Sequence, residues 1–301
     1  MKWPYIWIAS GAALWGTIGI FIKELSSLGF TPIQIVVLRA LGAAIAFIII
    51  TLFTDRSLLR IKLRDTHYFI GTGLLSIAFF NWCYFKAMEE MSLSVAAVLL
   101  YTAPAFVLIL SRIFFNDLIT GKKLTALGVT FLGCLFVVGY MPSAKAGITL
   151  SGLLTGLGAG LGYSLYSIFG KAASAKYHTL TITTFTFIFA GLALFPVSGL
   201  ATSIHLLENG KVFLYISGLG IIPTVFAYIL YTVGLRQVEP SRAAIVSTIE
   251  PVVATLTGFF LFKEELTLLQ TIGILLVISA AVLVQDKKTS ASLHQKTTNV
   301  S

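Results

Sequence analysis

Long apolar blocks broken by short polar connections organise this chain. The blocks run over roughly 4–22, 32–53, 67–88, 93–114, 123–141, 148–169, 179–200, 211–234, 242–262 and 267–285. Each is close to the ~20 residues an α-helix needs to cross the hydrocarbon core of a bilayer. Barrel strands would be about half as long and would alternate. A helix also satisfies its own backbone hydrogen bonds in lipid. The pattern therefore predicts an all-α membrane protein of ten transmembrane helices. The first apolar stretch continues past Trp15 to Phe21, too long for the core of a signal peptide, and reads as the first span. The chain ends in DKKTSASLHQKTTNVS, which predicts a polar, disordered tail that includes 291–301.

Composition agrees with burial in lipid. Hydrophobic residues make up 57% and charged residues 11% of the chain, where soluble domains carry about 25% charged residues. The net charge of +9 does not point to nucleic acid, because the basic residues are scattered between apolar blocks. They instead set orientation. With a cytoplasmic N-terminus, the inner segments hold Lys2, Arg56, Arg60, Lys62, Arg64, Arg112, Lys122, Lys123, Lys171, Lys176, Arg236, Arg242, Lys287, Lys288 and Lys296. The outer ends hold only Lys23, Lys86, Lys145, Lys211 and Lys263. The positive-inside rule then puts both termini in the cytoplasm, in a multi-pass protein of the cell (plasma) membrane.

The chain also repeats itself. The segment YFKAMEEMSLSVAAVLLYTAPAFVLILSRIFFNDLITGKKLTA, from Tyr84, lies without a gap over YTVGLRQVEPSRAAIVSTIEPVVATLTGFFLFKEELTLLQTIG, from Tyr231. Ser94 meets Ser241, Pro104 meets Pro251, Asp117 meets Glu264 and Thr120 meets Thr267. The halves are 1–145 and 146–290. Five spans in each half would turn the second upside down relative to the first. Inverted repeats are typical of secondary transporters, whose substrate sites lie near the midplane where the repeats meet.

At these residues the chain resembles the EamA domain of the drug/metabolite transporter superfamily. The likeness rests on WGTIGIFIK in the first block, VVLRA in the second, YFKAM…SVAAVLLYTAPAF, and YTVGL…SRAAIVSTIEPVVATLTGFFLFKEELT. It covers residues 4 to 285. The first copy departs from the pattern, reading FNDLIT where the family has Gly-Glu. The resemblance implies ten helices and cytoplasmic termini. It also implies a central cavity lined mainly by spans 1, 3, 4, 6, 8 and 9, and export or exchange of amino acids or similar metabolites. Drug efflux, or uptake of carboxylates, amines or sugars, stays open.

Polar groups deep in lipid are costly, so the few present are informative. Glu250 lies about eight residues into its block, ~12 Å deep at a rise of ~1.5 Å per residue. Pro251 follows it and frees backbone groups beside the carboxylate; Pro104 is the matching helix break in the first half. Glu250 can bind a substrate ammonium, take up a coupling proton, or serve as a structural acid. Arg39 can meet a substrate carboxylate with its planar fork, snorkel, or tie two helices together. Trp15, Asn81, Tyr84, Tyr101, Tyr163, Tyr166, Tyr228 and Tyr231 are the candidate substrate contacts. Aromatic side chains with a polar tip suit amphipathic solutes, but they also pack cores. Trp3, Tyr5, Trp7 and Tyr140 fit an interfacial belt. Gly152, Gly156 and Gly160, at four-residue spacing, predict close helix packing.

The sequence gives no sign of a cofactor, a metal site or an enzyme. His67, His178, His205 and His294 fall at block edges, in connections or in the tail, and Cys83 and Cys134 lie inside apolar blocks. No zinc-protease, nucleophile-elbow or nucleotide-binding motif is present. The expected partners are a small-molecule substrate, the bilayer and a coupling proton.

Overall fold

The computed structural model describes residues 3–139 and 149–285. The expected boundary between halves, Tyr140 and the tail 291–301 lie outside the described residues. Within them the chain is helical throughout, with no strand. The rods are α1 (Trp3–Ser27), α2 (Pro32–Thr54), α3 (Leu63–Glu90), α4 (Leu93–Phe115), α5 (Gly121–Val137), α6 (Leu150–Ser174), α7 (Thr179–Val197), α8 (Gly210–Leu235), α9 (Pro240–Phe262) and α10 (Leu268–Leu283). Short connections make successive rods run in opposite directions. We call the end of the bundle carrying Trp3 the near end and the end carrying Ser27 the far end.

Among the described residues, seven of these rods are long and apolar enough to cross a membrane: α1, α2, α3, α4, α7, α8 and α9. The hydrophobic pattern predicts ten. The difference has physical causes. α5 and α10 have 17 and 16 residues, so they reach only about 25 Å of a ~30 Å core. α6 has 25 residues, but Gly, Ser and Thr dilute its apolar content.

Burial is arranged for lipid. Large apolar side chains face outward, among them Phe53 (89% exposed), Phe114, Leu154, Leu192, Phe213 and Leu275. Hydroxyls turn inward. Thr186 of α7 donates to Thr72 of α3 at 2.6 Å, and Thr51 of α2 lies 3.2 Å from Thr184. Such bonds hold helices together where no hydrophobic effect separates helix from lipid. Trp3 and Trp7 are exposed as a belt requires, whereas Tyr5 is buried in the core with Ile8 and Tyr231.

The glycines of α6 admit α4. A Cβ on Gly160 would lie 2.7 Å from Thr102 Oγ1 and 2.9 Å from the Leu99 carbonyl; one on Gly156 would meet only the Leu99 side chain. Backbone cannot move aside as a leucine can. Gly160→Ala should therefore lower stability in a detergent thermal melt by about 1–3 kcal/mol, and Gly156→Ala by less. Equal effects would contradict this packing.

Three rods are interrupted. α1 bends at Thr17, whose hydroxyl donates to the Leu14 carbonyl at 2.7 Å. α4 breaks between Leu100 and Ala103, and α9 breaks at Thr248. α3 and α8 each contain a π-helical stretch, Gly71–Ala78 and Ile221–Phe226. Residues in or next to the breaks in α1, α4 and α9 and in the π-helical stretch of α3 line one interior space.

Candidate functional site

That space is a cavity of about 440 Å³. Its wall combines α1, α2, α3, α4, α6, α8 and α9. Trp15, Asn81, Tyr84, Tyr101, Tyr163, Tyr166, Tyr228, Tyr231 and Glu250 all line it, and so does Arg39. Pro104 and Ala103 line a small pocket beside it that Glu250 also borders; Pro251 is buried behind. The wall extends through Ile22, Pro32, Met88 and Leu93, which are ends of rods at the far end.

The break at Thr248 decides where Glu250 sits. α9 stops at Ser247 and restarts at Ile249, so Glu250 falls in the first turn of the second segment. The free N–H groups and dipole of a helix start favour a carboxylate there. Gly16 lets α1 approach this turn: a Cβ there would lie 2.6 Å from the Glu250 carbonyl. The Tyr163 hydroxyl donates to Glu250 Oε2 at 2.7 Å. Oε1 makes no hydrogen bond with a described residue.

An aromatic box surrounds this carboxyl. Trp15 packs against Tyr231, Tyr228 and Tyr163 with ring centroids 4.9, 5.1 and 6.2 Å apart. Deeper in, Tyr166 pairs with Thr232 and Ser167 with Tyr231, both at 2.7 Å. These pairs tie α6 to α8 in the cavity wall. Asn81 spends its amide on the Ile77 carbonyl of the π-helical stretch, at 2.7 Å. Trp82, its neighbour, is 56% exposed and faces out of the bundle.

Arg39 is the departure. A span-2 arginine was expected to lie off the main cavity wall, which the family likeness assigned to other helices. Instead α2 contributes Pro32, Ile35, Val36 and Arg39 to the wall. Arg39 neither snorkels nor bonds a neighbouring helix: it is buried, and it makes no hydrogen bond or ion pair with a described residue.

The near end carries a polar cluster that links distant parts of the chain. Asp117, after α4, accepts hydrogen bonds from Ser111, from Ser241 at the start of α9, and from Lys123 of α5. Lys123 also meets Glu239, 2.9 Å away, and the Leu118 carbonyl. Arg242 binds Glu239 and the Val284 carbonyl. Lys171 caps the end of α8 by donating to the carbonyls of Leu235, Arg236 and Val238 at 2.8–3.0 Å. Burial pushes the Asp117 carboxyl up, but its three hydrogen bonds and the Lys123 charge outweigh this and hold it below the ordinary carboxylate range.

The EamA-like transporter family model matches residues 2–139 and 150–285. The chain belongs to the EamA-like transporter family. It is similar to two proteins of Archaeoglobus fulgidus, each described as an uncharacterized transporter. One is 29% identical over 94% of this chain and 96% of the relative; the other is 28% identical over 95% and 99%. Protein PecM of Dickeya dadantii is 26% identical over 71% of this chain and 72% of that protein. A solved crystal structure superposes with a TM-score of 0.76 at 18% identity, over 94% of this chain and 96% of that one, which shows a shared fold. The molecule is thus a multi-span membrane protein of a transporter family. Two of this EamA-like chain's interior features escaped the sequence: the cavity position of Arg39 and the near-end cluster. The sequence contained one sign of the cluster, the acid Asp117 in a connection a few residues ahead of Lys122 and Lys123.

Proposed function

We propose that this EamA-like protein is a secondary transporter of small organic metabolites, amino acids or related compounds, working by alternating access through the central cavity. In this reading ten rods span the plasma membrane as two inverted halves, 1–145 and 146–290, with both termini cytoplasmic. Transport is export or exchange, and Glu250 takes up the coupling proton or a substrate ammonium. The carrying observation is a cavity walled by both halves that the Glu250 carboxyl lines and that reaches the far-end residues Ile22, Pro32, Met88 and Leu93, with a buried polar cluster at the near end.

Several local features support the two-half reading. In the gapless alignment Asn116 meets Lys263, and these are the two non-glycine residues with left-handed backbone among the described residues, at φ 54° and 55°. The next N–H in each copy bonds the equivalent carbonyl: Asp117 to Ser111 and Glu264 to Gly258. Thr120 and Thr267 cap the helices that follow. The breaks in α4 and α9 also fall at matched positions, ahead of Pro104 and Pro251.

The two copies differ in what the loop acid touches. Asp117 is buried against Ser241 of the other half. Glu264 is exposed, and its counterpart contact, Ser94, bonds the Val138 carbonyl at 3.4 Å instead. We read the Asp117 cluster as the closed near-end gate. Rocking of the halves would open it and bring Glu264 toward Ser94. The test is a thermal-shift screen of metabolites on the purified protein, followed by flux of the hits in proteoliposomes. A ligand that binds the folded state raises its melting temperature by mass action. Hits that are carried across the vesicle membrane support the reading. Hits that bind without flux would sink it.

A further inference from the structure

Bonded and unbonded positive charge occupy different places at the near end. Lys123, Arg242 and Lys171 are committed to the bonds described above. Lys176 meets Asp65 at 2.7 Å, Lys122 donates to the Gln285 carbonyl at 3.1 Å, and Arg112 donates to the Asn116 carbonyl at 3.4 Å. The connection from α2 to α3 is different. Arg56, Arg60, Lys62 and Arg64 lie close together in it, and all four are exposed. Their side chains make no ion pair or hydrogen bond with a described residue. The two acids of the connection are already spent. Asp55 accepts from the Ser57 N–H and hydroxyl at 2.8 and 2.7 Å. Asp65 accepts from Lys176 and Tyr177 at 2.7 and 2.8 Å.

The connection is also held in place. Thr181 donates to the Leu58 carbonyl at 2.8 Å, and the Lys62 N–H donates to the Tyr177 hydroxyl oxygen at 3.1 Å. Ile61 packs with Phe69, Tyr177 and Ile182. The backbone is thus clamped onto the turn between α6 and α7, with the four basic side chains left outside. Beside them Phe53 and Leu63 are 89% and 91% exposed. Apolar side chains next to such charge suit the level where headgroups meet acyl chains. A topology signal needs only the number of positive charges. It needs neither a clamped backbone nor acids turned away from the arginines. Like charges held together repel, and an anion between them relieves the repulsion. The arginine fork fits two phosphate oxygens, and a basic cluster directly beside a membrane span suits anionic lipid.

We infer that the α2–α3 connection binds anionic phospholipid, with phosphate-bearing headgroups at Arg56, Arg60, Lys62 and Arg64 and acyl chains against Phe53 and Leu63. In the orientation proposed above, this lipid belongs to the cytoplasmic leaflet. The site is separate from the cavity and does not depend on what the cavity carries.

Lipid retention tests it. Purified protein is equilibrated in detergent micelles holding equal amounts of phosphatidylglycerol and phosphatidylcholine with the same acyl chains. It is then passed through gel filtration, and the co-eluting lipid is measured by mass spectrometry. Micelles have no sides, so a variant's orientation in a membrane does not enter. Each basic residue near an anionic surface is worth about fivefold in binding. The wild type should therefore retain phosphatidylglycerol over phosphatidylcholine by at least about tenfold at low salt, and by less at high salt. The combination Arg60→Gln, Lys62→Gln and Arg64→Gln should bring the preference within about twofold. The combination Arg112→Gln, Lys122→Gln and Arg236→Gln removes the same charge from the same end and should keep the preference. If the first combination does not fold, Arg60→Gln alone should lose about fivefold. The inference is overturned if the wild type shows no preference, if both combinations lower it alike, or if the changes in the α2–α3 connection leave it intact. Displacement of the lipid by inorganic phosphate as readily as by added phosphatidylglycerol would assign the site to a free anion and overturn it too.

Discussion

Glu250→Gln is expected to bring gradient-driven accumulation in proteoliposomes down to the level of protein-free vesicles. Glutamine keeps the size of the side chain and can still accept from Tyr163, so the helix break at Thr248 and the aromatic box should persist. What disappears is the negative charge and the site for a proton. Loss of a charge-assisted hydrogen bond should weaken binding of an ammonium-bearing ligand by about 10- to 100-fold. If Glu250 carries the coupling proton, passive exchange at saturating ligand should survive better than driven accumulation. Accumulation at the wild-type rate in this variant would remove Glu250 from the mechanism.

Asp117→Ala should cause the largest loss of stability among the variants considered. Asp117 and Lys123 are both buried, with side-chain exposures of 2% and 1%. Removing one partner of a buried pair costs about 3–5 kcal/mol where it strands the other charge; Lys123 keeps Glu239 and the Leu118 carbonyl, so the lower end of that range is expected. A detergent thermal melt should show the loss, and Ser241→Ala should lose less, since it takes away one neutral donor. A pH effect follows with a definite sign. The folded carboxyl of Asp117 lies below its ordinary value. Its contribution is therefore present above the unfolded pKa, about 3.9, and is lost as pH falls through the lower folded value. The wild type should become less stable in that acid range, and the alanine variant should show a smaller change. If the cluster is the near-end gate, the same substitution should open it. With Cys83 and Cys134 replaced by alanine and Ser167→Cys placed below the aromatic box, an impermeant thiol reagent should label from the near side faster when Asp117 is alanine. Unchanged labelling would mean the cluster is structural only.

Much of the site can be read in the sequence, for a simple reason. A carboxyl, an amide or a tyrosine in mid-span has few places to go in lipid except inward. Glu250, Trp15, Asn81 and the tyrosines all line one cavity because of this constraint. Arg39 obeys the same constraint, but its sequence cannot say whether inward means a partner helix or a cavity. That depends on how α2 packs against α7 and α8, through contacts far apart along the chain. The Asp117 cluster was hidden for the same reason: Ser241 and Glu239 lie more than a hundred residues from Asp117 in sequence. Apolar residues dominate α2, which is long and apolar enough to cross a membrane, whereas α6 gives up apolar content where packing wants glycine. The interruptions in α1, α3 and α8 leave little trace, because Thr17 and the π-helical stretches lie within otherwise ordinary apolar runs. Pro223 is the exception that could have been noticed.

The central claim is that this cavity carries a solute across the membrane. Counterflow measures that directly. Proteoliposomes are loaded with the best-binding unlabelled compound and diluted into its labelled form, and label inside is followed over time. The account predicts transient accumulation above equilibrium in wild-type vesicles, slowed in Asp117→Ala and Arg39→Gln and absent without protein. Label that enters wild-type vesicles no faster than protein-free ones, for every compound that binds, would contradict it.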